Sequence, residues 1–364
     1  MSQADYPEEM EVDDSGNVYV ASRFTDTADF GTTNLVAAAT RDSALIKLSA
    51  NGDFLWSRRL SSNAQSAFIS AMALDSTGNL HTASWQNSST AIVSKLNGNG
   101  TVSWTKTISS NTSAMVIDMQ IKNDGNIYIG GFFRGTADFD PSSKIVNKTS
   151  SDMAGYVLNL TSNGGYKWVS TFQSTSVGAG SSAVRSMAID SSGSILVAGL
   201  YDGSVDFNPG AGITTLDTAG GTFAAKLNAA GGLTWVDAFT KAADGFMNVY
   251  GVASDSSGNM YIAGIFSGTV DMAPGTDVSL HTSAGNLDSY VIKLNTTGSL
   301  LWDDSFGGLG NDVVFAINVD SSGNIHLAGY FEDAVDFNPD PTAQRVLGSS
   351  GSKANGFVTR WRRT

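Results

Sequence analysis

A short acidic motif recurs in this chain and has the composition of a calcium-binding loop. An Asp precedes Phe or Met, and a second oxygen-bearing side chain often follows, as in Ala28-Asp29-Phe30-Gly31, Ala137-Asp138-Phe139-Asp140-Pro141, Val205-Asp206-Phe207-Asn208-Pro209-Gly210, Val270-Asp271-Met272-Ala273-Pro274-Gly275 and Val335-Asp336-Phe337-Asn338-Pro339-Asp340. Carboxylate, amide and carbonyl oxygens are the ligands that Ca²⁺ prefers in proteins. The sequence therefore predicts Ca²⁺ sites in three copies, formed by Asp138 and Asp140, by Asp206 and Asn208, and by Asp336, Asn338 and Asp340.

The same motif also has a purely structural interpretation. Asp or Asn before Pro commonly organises a turn by accepting hydrogen bonds from its own backbone, and the apolar residue can anchor the loop. Ala273 stands where the second oxygen-bearing side chain would be in the fourth of these motifs. Turn and Ca²⁺ site are both open alternatives at the level of sequence.

The histidines and the absence of cysteine limit other chemistry. His81 and His326 occupy a position that holds Tyr in three other repeats, so they are interpreted as ordinary strand residues. His281 follows the fourth of the acidic motifs, and the sequence pattern offers it no partner. This argues against a histidine metal centre and against Ser-His-Asp catalysis. Because the chain has no Cys, disulfides, thiolate metal sites and cysteine nucleophiles are excluded. The sequence predicts no catalytic residue.

A tight-turn signature that occurs six times must position these residues. Gly is followed by Asn or Ser and then by a short apolar stretch, at Gly16, Gly78, Gly125, Gly193, Gly258 and Gly323. Repetition at a period of several tens of residues indicates a repeat architecture. Each unit is interpreted as four strands, a to d: strand a ends at Asp, the Gly turn leads to strand b, a longer loop leads to strand c, and strand d carries one Trp.

Six such units predict a six-bladed β-propeller of four-stranded antiparallel blades, an all-β single domain over residues 1–364. A β-solenoid has shorter periods, and a sandwich would not repeat its sequence. The last unit stops in strand c, so the sixth blade is expected to be three-stranded or open, unless the natural chain continues beyond Thr364. Trp361 stands where other units have Leu and is expected to be buried.

Two further positions repeat. A Trp in strand d is interpreted as a packing wedge between neighbouring sheets, at Trp56, Trp104, Trp168, Trp235 and Trp302. A basic residue in strand c alternates with apolar neighbours and is interpreted as the mark of a half-exposed strand, at Lys47, Lys95, Lys226, Lys293 and Arg360, with Asn159 as the exception.

The charge of the chain excludes several partners. The formal net charge is −13, which argues against nucleic acid and against anionic membrane surfaces. No apolar run is long enough to span a bilayer, so no membrane insertion is predicted. No secretory signal stands at the amino terminus, so the chain is interpreted as cytoplasmic or as a mature form without its signal.

The repeat motifs resemble those of the bacterial β-propeller family known as SBBP repeats, over essentially the whole chain. The matching elements are Asp255-Ser256-Ser257-Gly258-Asn259, Tyr261-Ile262-Ala263-Gly264-Ile265-Phe266, Val205-Asp206-Phe207-Asn208-Pro209-Gly210 and Lys293-Leu294-Asn295 with Leu301-Trp302. The second unit departs most, because its b–c loop is short and lacks the acidic motif. The resemblance implies a secreted or cell-surface bacterial protein and supplies no catalytic residues.

The function predicted from these observations is a non-enzymatic binding or structural module, extracellular or at the cell surface, with a protein or glycan partner. The b–c and d–a loops are long and variable and share one face, where recognition on a rigid scaffold usually lies. Three of these loops are Thr171–Ala183, Gly203–Gly221 and Phe239–Asn248. The alternatives are a structural subunit of a surface or particle assembly, and a hydrolase or lyase with carboxylates on the ring axis.

Overall fold

The chain is all-β in its computed structural model, as the sequence predicts. The structure describes residues 6–30, 34–37, 41–60, 68–338, 344–348 and 353–362, and these residues contain no helix. A membrane-spanning helix is accordingly absent from the described part of the chain. The chain divides into two compact units, Met1–Ser151 with Tyr156–Val169 and Asp152–Gly155 with Ser170–Thr364. A single domain over residues 1–364 stays a prediction.

The first unit begins with the four-stranded antiparallel sheet β1-β2-β5-β6, and the next four strands pair in the order β7-β8-β9-β10 at one end of a larger sheet. The strands of repeat 1 are β1 (Tyr6–Val12), β2 (Val18–Phe24), β3 (Thr27–Asp29), β4 (Asn34–Val36), β5 (Asp42–Leu48) and β6 (Phe54–Arg59). Those of repeat 2 are β7 (Phe68–Leu74), β8 (Leu80–Gln86), β9 (Thr90–Leu96) and β10 (Val102–Ser110). Repeat 3 follows with β11 (Ser113–Ile121), β12 (Ile127–Asp138), β13 (Asn147–Leu160) and β14 (Tyr166–Ser174). The boundary between the units runs through β13 and β14.

The second unit continues the pattern and ends on a three-stranded sheet, β25-β26-β29, as expected for the last repeat. Repeat 4 contains β15 (Gly180–Ile189), β16 (Ile195–Asp206), β17 (Thr215–Leu227) and β18 (Leu233–Lys241). Repeat 5 contains β19 (Phe246–Ser254), β20 (Met260–Ser267), β21 (Thr269–Asp271), β22 (Leu280–Thr282), β23 (Asp288–Leu294) and β24 (Leu300–Phe306). Repeat 6 contains β25 (Val313–Val319), β26 (Ile325–Phe331), β27 (Ala334–Asp336), β28 (Val346–Gly348) and β29 (Asn355–Trp361).

The segments between strands b and c are hairpins in repeats 1, 4, 5 and 6, where the sequence predicted loops. In repeat 4 the strands themselves extend, so that β16 runs to Asp206 and β17 begins at Thr215. In repeats 1, 5 and 6 separate short strands form the hairpin. The residue before the motif Asp is paired across each hairpin with one equivalent residue, which is Leu35, Leu216, His281 or Leu347.

A Lys–Asp ion pair lies beneath the first turn of most repeats, which corrects the interpretation of the strand-c basic residue. Lys47 and Lys226 are buried, with 7% and 8% of their surface exposed. Lys226 Nζ lies 2.7 Å from Asp190 Oδ2, and equivalent pairs join Lys95 to Asp75 at 2.8 Å, Lys293 to Asp255 at 3.3 Å and Lys47 to Asp13 at 3.6 Å. Each pair therefore ties the a–b turn to strand c.

The Asp of this pair also builds the turn itself. Asp255 Oδ1 accepts the backbone N–H groups of Ser257 and Asn259, both at 3.0 Å, and Gly258 adopts a φ of +81°. Asp255 Oδ2 accepts the Tyr261 hydroxyl at 3.1 Å. Burial alone would raise the pKa of Asp255, but hydrogen bonds from Asn259, Lys293 and Tyr261 outweigh burial and lower the pKa.

Repeat 3 departs from the pattern at both partners together. Lys122 stands in place of the turn Asp, and Asn159 stands in place of the strand-c Lys. Asn159 is fully buried and donates its Nδ2–H to Ile127 O at 3.3 Å. A Lys at both positions would place two cations together. Because Asn159 replaces the strand-c Lys where Lys122 replaces the turn Asp, this repulsion is avoided.

The strand-d Trp packs between neighbouring repeats, as predicted. Trp56 Nε1 donates to Gly98 O at 3.2 Å, and Trp235 Nε1 donates to Thr296 O at 3.1 Å, in each case in the c–d turn of the following repeat. Trp361 is 2% exposed and donates to Phe337 O at 2.9 Å, which confirms that it is buried.

A Gly of strand b lies opposite a β-bulge in strand a in repeats 3 to 6, whereas repeats 1 and 2 hold Ser22 and Ser84 there. In repeat 5, Val249 pairs with Gly264 and Gly251 pairs with Ala263, so Tyr250 is an extra residue. A Cβ on Gly264 would lie 1.9 Å from Asn248 O, so no side chain fits there. The register shifts at the same position in strand a of all six repeats.

We expect Lys293→Asn to lower the free energy of unfolding by about 1–3 kcal/mol, because Asp255 loses its cation. The double variant Asp255→Lys with Lys293→Asn reproduces the residues of repeat 3 and is expected to recover part of that loss. Urea unfolding of Lys293→Asn, Asp255→Lys and the double variant measures the effect, with the exposed Lys144→Asn as control. Simple additivity of the two substitutions would contradict the coupling.

His81 is expected to make stability depend on pH between about 4 and 6.5. Burial lowers the pKa of His81 to about 4, from an ordinary value of 6.5. The unfolded chain binds this proton across that interval and the folded protein does not, so stability rises with pH. His81→Tyr, which places the residue of repeats 1, 3 and 5 at this position, should flatten the dependence of the urea midpoint on pH. If the urea midpoints of wild type and His81→Tyr change with pH in the same way, His81 is not the group responsible.

Candidate functional site

The acidic motifs form closed turns in which one carboxylate oxygen binds two backbone amides. Asp206 Oδ1 accepts the N–H groups of Asn208 and Thr214, both at 2.9 Å. Asp138 Oδ1 binds the amides of Asp140 and Val146, and Asp336 Oδ1 those of Asn338 and Arg345, in the same way. Asn208 Oδ1 in turn accepts the Gly210 N–H at 2.9 Å. Asp340 lies outside the described residues.

Repeat 5 makes the same turn without a second oxygen-bearing side chain. Asp271 Oδ1 accepts the N–H groups of Ala273 at 3.1 Å and Ser279 at 2.8 Å. The turn therefore forms even where a cation would lack one of its ligands. Formation of the turn is thus sufficient to explain the motif. No group of three or more His, Asp or Glu side chains suited to a metal occurs in the described part of the chain. Ca²⁺ binding stays a prediction.

A cavity of about 310 Å³ lies in the second unit, where three of the variable segments meet. The start of β15, the end of β16, the middle of β17, the end of β18 and the start of β19 supply its walls. Phe246 is 44% exposed at the cavity, whereas Met247 and Tyr201 are 3% exposed. Asp202 is exposed and Lys241 partly exposed. An aromatic ring, an acidic group and a basic group therefore converge on one apolar floor.

Glycine and a neutral phenol shape this cavity. Gly220 adopts a φ of +88°, and a Cβ there would lie 2.7 Å from Asp202 Oδ1. The Tyr201 hydroxyl is hydrogen-bonded to Thr218 Oγ1. Burial raises the pKa of Tyr201, so the phenol stays neutral. The opening between Asp202 and the following strand therefore depends on the absence of a side chain.

A larger cavity of about 530 Å³ lies among the a–b turns of repeats 1 to 3 in the first unit. Its acidic groups already serve the turns. Asp75 accepts hydrogen bonds from Thr77, Asn79 and Lys95, and Asp13 accepts them from Ser15 and Asn17. Polar groups committed in this way offer little to a ligand, so the smaller cavity is the better candidate.

The first strands of repeats 1 and 3 carry an acidic group that the sequence analysis missed. Burial raises the pKa of Glu9 to about 7, and the carboxylates of Asp118, Glu11 and Glu8 add to the shift. Burial and Asp118 likewise raise the pKa of Glu11 to about 7. Glu9 and Asp118 occupy the same position of strand a, opposite Ala21 and Gly130, but the other four repeats hold no acidic residue there.

His281 has partners, contrary to the sequence analysis. Its Nε2 lies 2.7 Å from Asp303 Oδ1, and its Nδ1 lies 2.9 Å from Ser305 Oγ. Asp303 Oδ1 also accepts the hydroxyl of Ser279 at 3.0 Å. The partners lie 22 and 24 residues further along the chain, so only the tertiary structure brings them together.

No family model and no curated protein matches the chain. Similar solved structures include a protein of unknown function from Bacteroides caccae, with 11% identity over 78% of each chain and a TM-score of 0.41. Virginiamycin B lyase from Staphylococcus aureus has 10% identity over 80% of this chain and 84% of that one, with a TM-score of 0.37. A member of the DUF4221 family from Bacteroides vulgatus has 11% identity over 90% and 91%, with a TM-score of 0.38. These TM-scores indicate nothing about function, and membership of the SBBP family stays a prediction.

We expect Asp206→Ala to lower the free energy of unfolding by about 1–3 kcal/mol, because two backbone amides lose their acceptor. Asp206→Asn keeps an oxygen at the Oδ1 position and should lose less. Thermal unfolding is measured with Ca²⁺ and with excess chelator, and the loss is expected in both. A Ca²⁺-dependent rise in the wild-type melting temperature that Asp206→Ala abolishes would instead establish the cation site.

Proposed function

We propose that the chain is a six-bladed β-propeller that binds a neutral glycan as an extracellular or cell-surface module. The six repeats, five of them with four antiparallel main strands, support the propeller. The resemblance to SBBP repeats supports the location. The net charge of −13 favours a neutral ligand over an anionic one.

The observation that carries the proposal is the 310 Å³ cavity beneath Phe246. Its volume lies at the lower end of the range typical for small-ligand sites. A sugar ring has an apolar face that can stack on Phe246 and hydroxyl groups that Asp202 and Lys241 can bind. Phe246 and Lys241 belong to the variable segment Phe239–Asn248, and Asp202 directly precedes the segment Gly203–Gly221.

Acid–base catalysis on the first strands of repeats 1 and 3 is a second candidate, favoured by one observation. Glu11 is half-buried, and burial together with the Asp118 carboxylate raises its pKa to about 7, close to the pH at which a general acid or base works best. This candidate predicts that a bound glycan is cleaved, whereas a binding module releases its ligand unchanged.

We expect wild-type protein to bind members of an array of neutral oligosaccharides. Phe246→Ala should weaken binding measured by calorimetry by about fivefold or more, since stacking on an aromatic ring contributes about 1 kcal/mol or more. Phe315→Ala removes another exposed ring of the same unit, 52% exposed and away from the cavity, and should bind normally. Mass spectrometry of the recovered ligand tests for cleavage. The cavity is not the binding site if both variants lose binding, or if the wild-type protein binds no oligosaccharide of the array.

A further inference from the structure

His281 is held in the tautomer that a general base requires. Asp303 is a buried acceptor, with 8% of its side chain exposed, and therefore takes the proton of His281 Nε2. The lone pair of Nδ1 then faces the hydroxyl of Ser305 at 2.9 Å. Nucleophile, base and orienting carboxylate form a continuous hydrogen-bonded chain, which is how serine nucleophiles are activated.

The strand geometry explains how one imidazole reaches both partners. Asp303 and Ser305 are two residues apart on β24, so their side chains leave the same face of the strand about 6.6 Å apart. His281 reaches them from β22, in the b–c hairpin of the same repeat. The serine hydroxyl of Ser279 also binds Asp303 Oδ1 and fixes the carboxylate.

None of the three residues occupies a constant position of the repeat. The position of His281 in the hairpin holds Leu35, Leu216 and Leu347 in repeats 1, 4 and 6. The positions of Asp303 and Ser305, one and three residues after the Trp, hold Val236 and Ala238 in repeat 4, whereas repeats 1 and 2 hold polar residues at both and no other repeat with this Trp has an acidic residue there. Repeat 4 thus forms the same hairpin and the same strand d with apolar residues at these three positions. The fold therefore does not require His281, Asp303 or Ser305.

We propose that Ser305, His281 and Asp303 form a nucleophilic site that hydrolyses carboxylic esters, apart from the ligand cavity. The side chain of His281 is 20% exposed and Ser305 is partly exposed, so a small ester can reach them. This activity goes beyond the proposed binding function and does not depend on Phe246.

Ser305 Oγ attacks the ester carbonyl carbon while its proton passes to His281 Nδ1. The bond between carbonyl carbon and alcohol oxygen breaks, and the leaving alkoxide takes the proton from Nδ1. A water molecule then attacks the acyl-serine, giving its proton to the same nitrogen. Release of the carboxylic acid returns that proton to Ser305, and Asp303 stabilises the imidazolium in both steps.

The test is labelling of the folded protein with a fluorophosphonate probe, followed by peptide mapping. We expect one phosphonylated residue, Ser305, and hydrolysis of p-nitrophenyl butyrate. His281→Leu should slow both reactions by about a hundredfold or more, the usual contribution of a general base. Ser305→Ala should abolish labelling.

The triple variant His281→Leu, Asp303→Val, Ser305→Ala restores the residues of repeat 4 and serves as the matched control. It should unfold at a temperature close to that of wild type and show neither labelling nor hydrolysis. If folded wild-type protein is neither labelled nor hydrolytic, or if Ser305→Ala is still labelled at the wild-type rate, the proposal is wrong. Phe246→Ala should leave labelling unchanged, so the failure of one site is distinguishable from the failure of the other.

Discussion

The ion pair beneath the a–b turn is the interaction on which the repeat depends. A carboxylate that is largely removed from water must be paired and hydrogen-bonded, or it destabilises the fold by several kcal/mol. Asp190 meets this demand through Lys226, Ser192 and its own turn amides. The same carboxylate thus determines the turn between strands a and b and joins the turn to strand c. The paired exchange to Lys122 and Asn159 in repeat 3 shows that the two positions act as one unit.

The remaining constant positions follow from stacking one such sheet on the next. The strand-d Trp must reach the following repeat, and it does so by donating to the c–d turn there. In repeats 3 to 6 the residue opposite the bulge is Gly, and a Cβ there would meet a backbone carbonyl. The Trp and the Gly therefore recur because of packing and backbone geometry, and no ligand is needed to explain either residue.

The sequence was sufficient for the parts of the fold that depend on local signals. The Gly turns, the strands between them, the Trp wedge and the burial of Trp361 follow from turn chemistry and period-two patterning. The role of the strand-c Lys was misinterpreted, because alternation along one strand does not reveal an acidic partner on another. The b–c hairpins were missed because their short strands pair across gaps of variable length. His281 was dismissed because its partners lie on a different strand.

Functional positions in a repeat protein are more visible as departures from the repeat than as repeated motifs. Each copy inherits the same framework, so a polar group is not explained by that framework where another copy forms the same structure with apolar residues. His281, Asp303 and Ser305 replace apolar residues of repeat 4 together and satisfy one another's hydrogen bonds. Independent drift would leave buried polar groups unpaired, at a cost of about 1–3 kcal/mol each. Their mutual pairing is therefore the structural evidence that the three changes belong to one site.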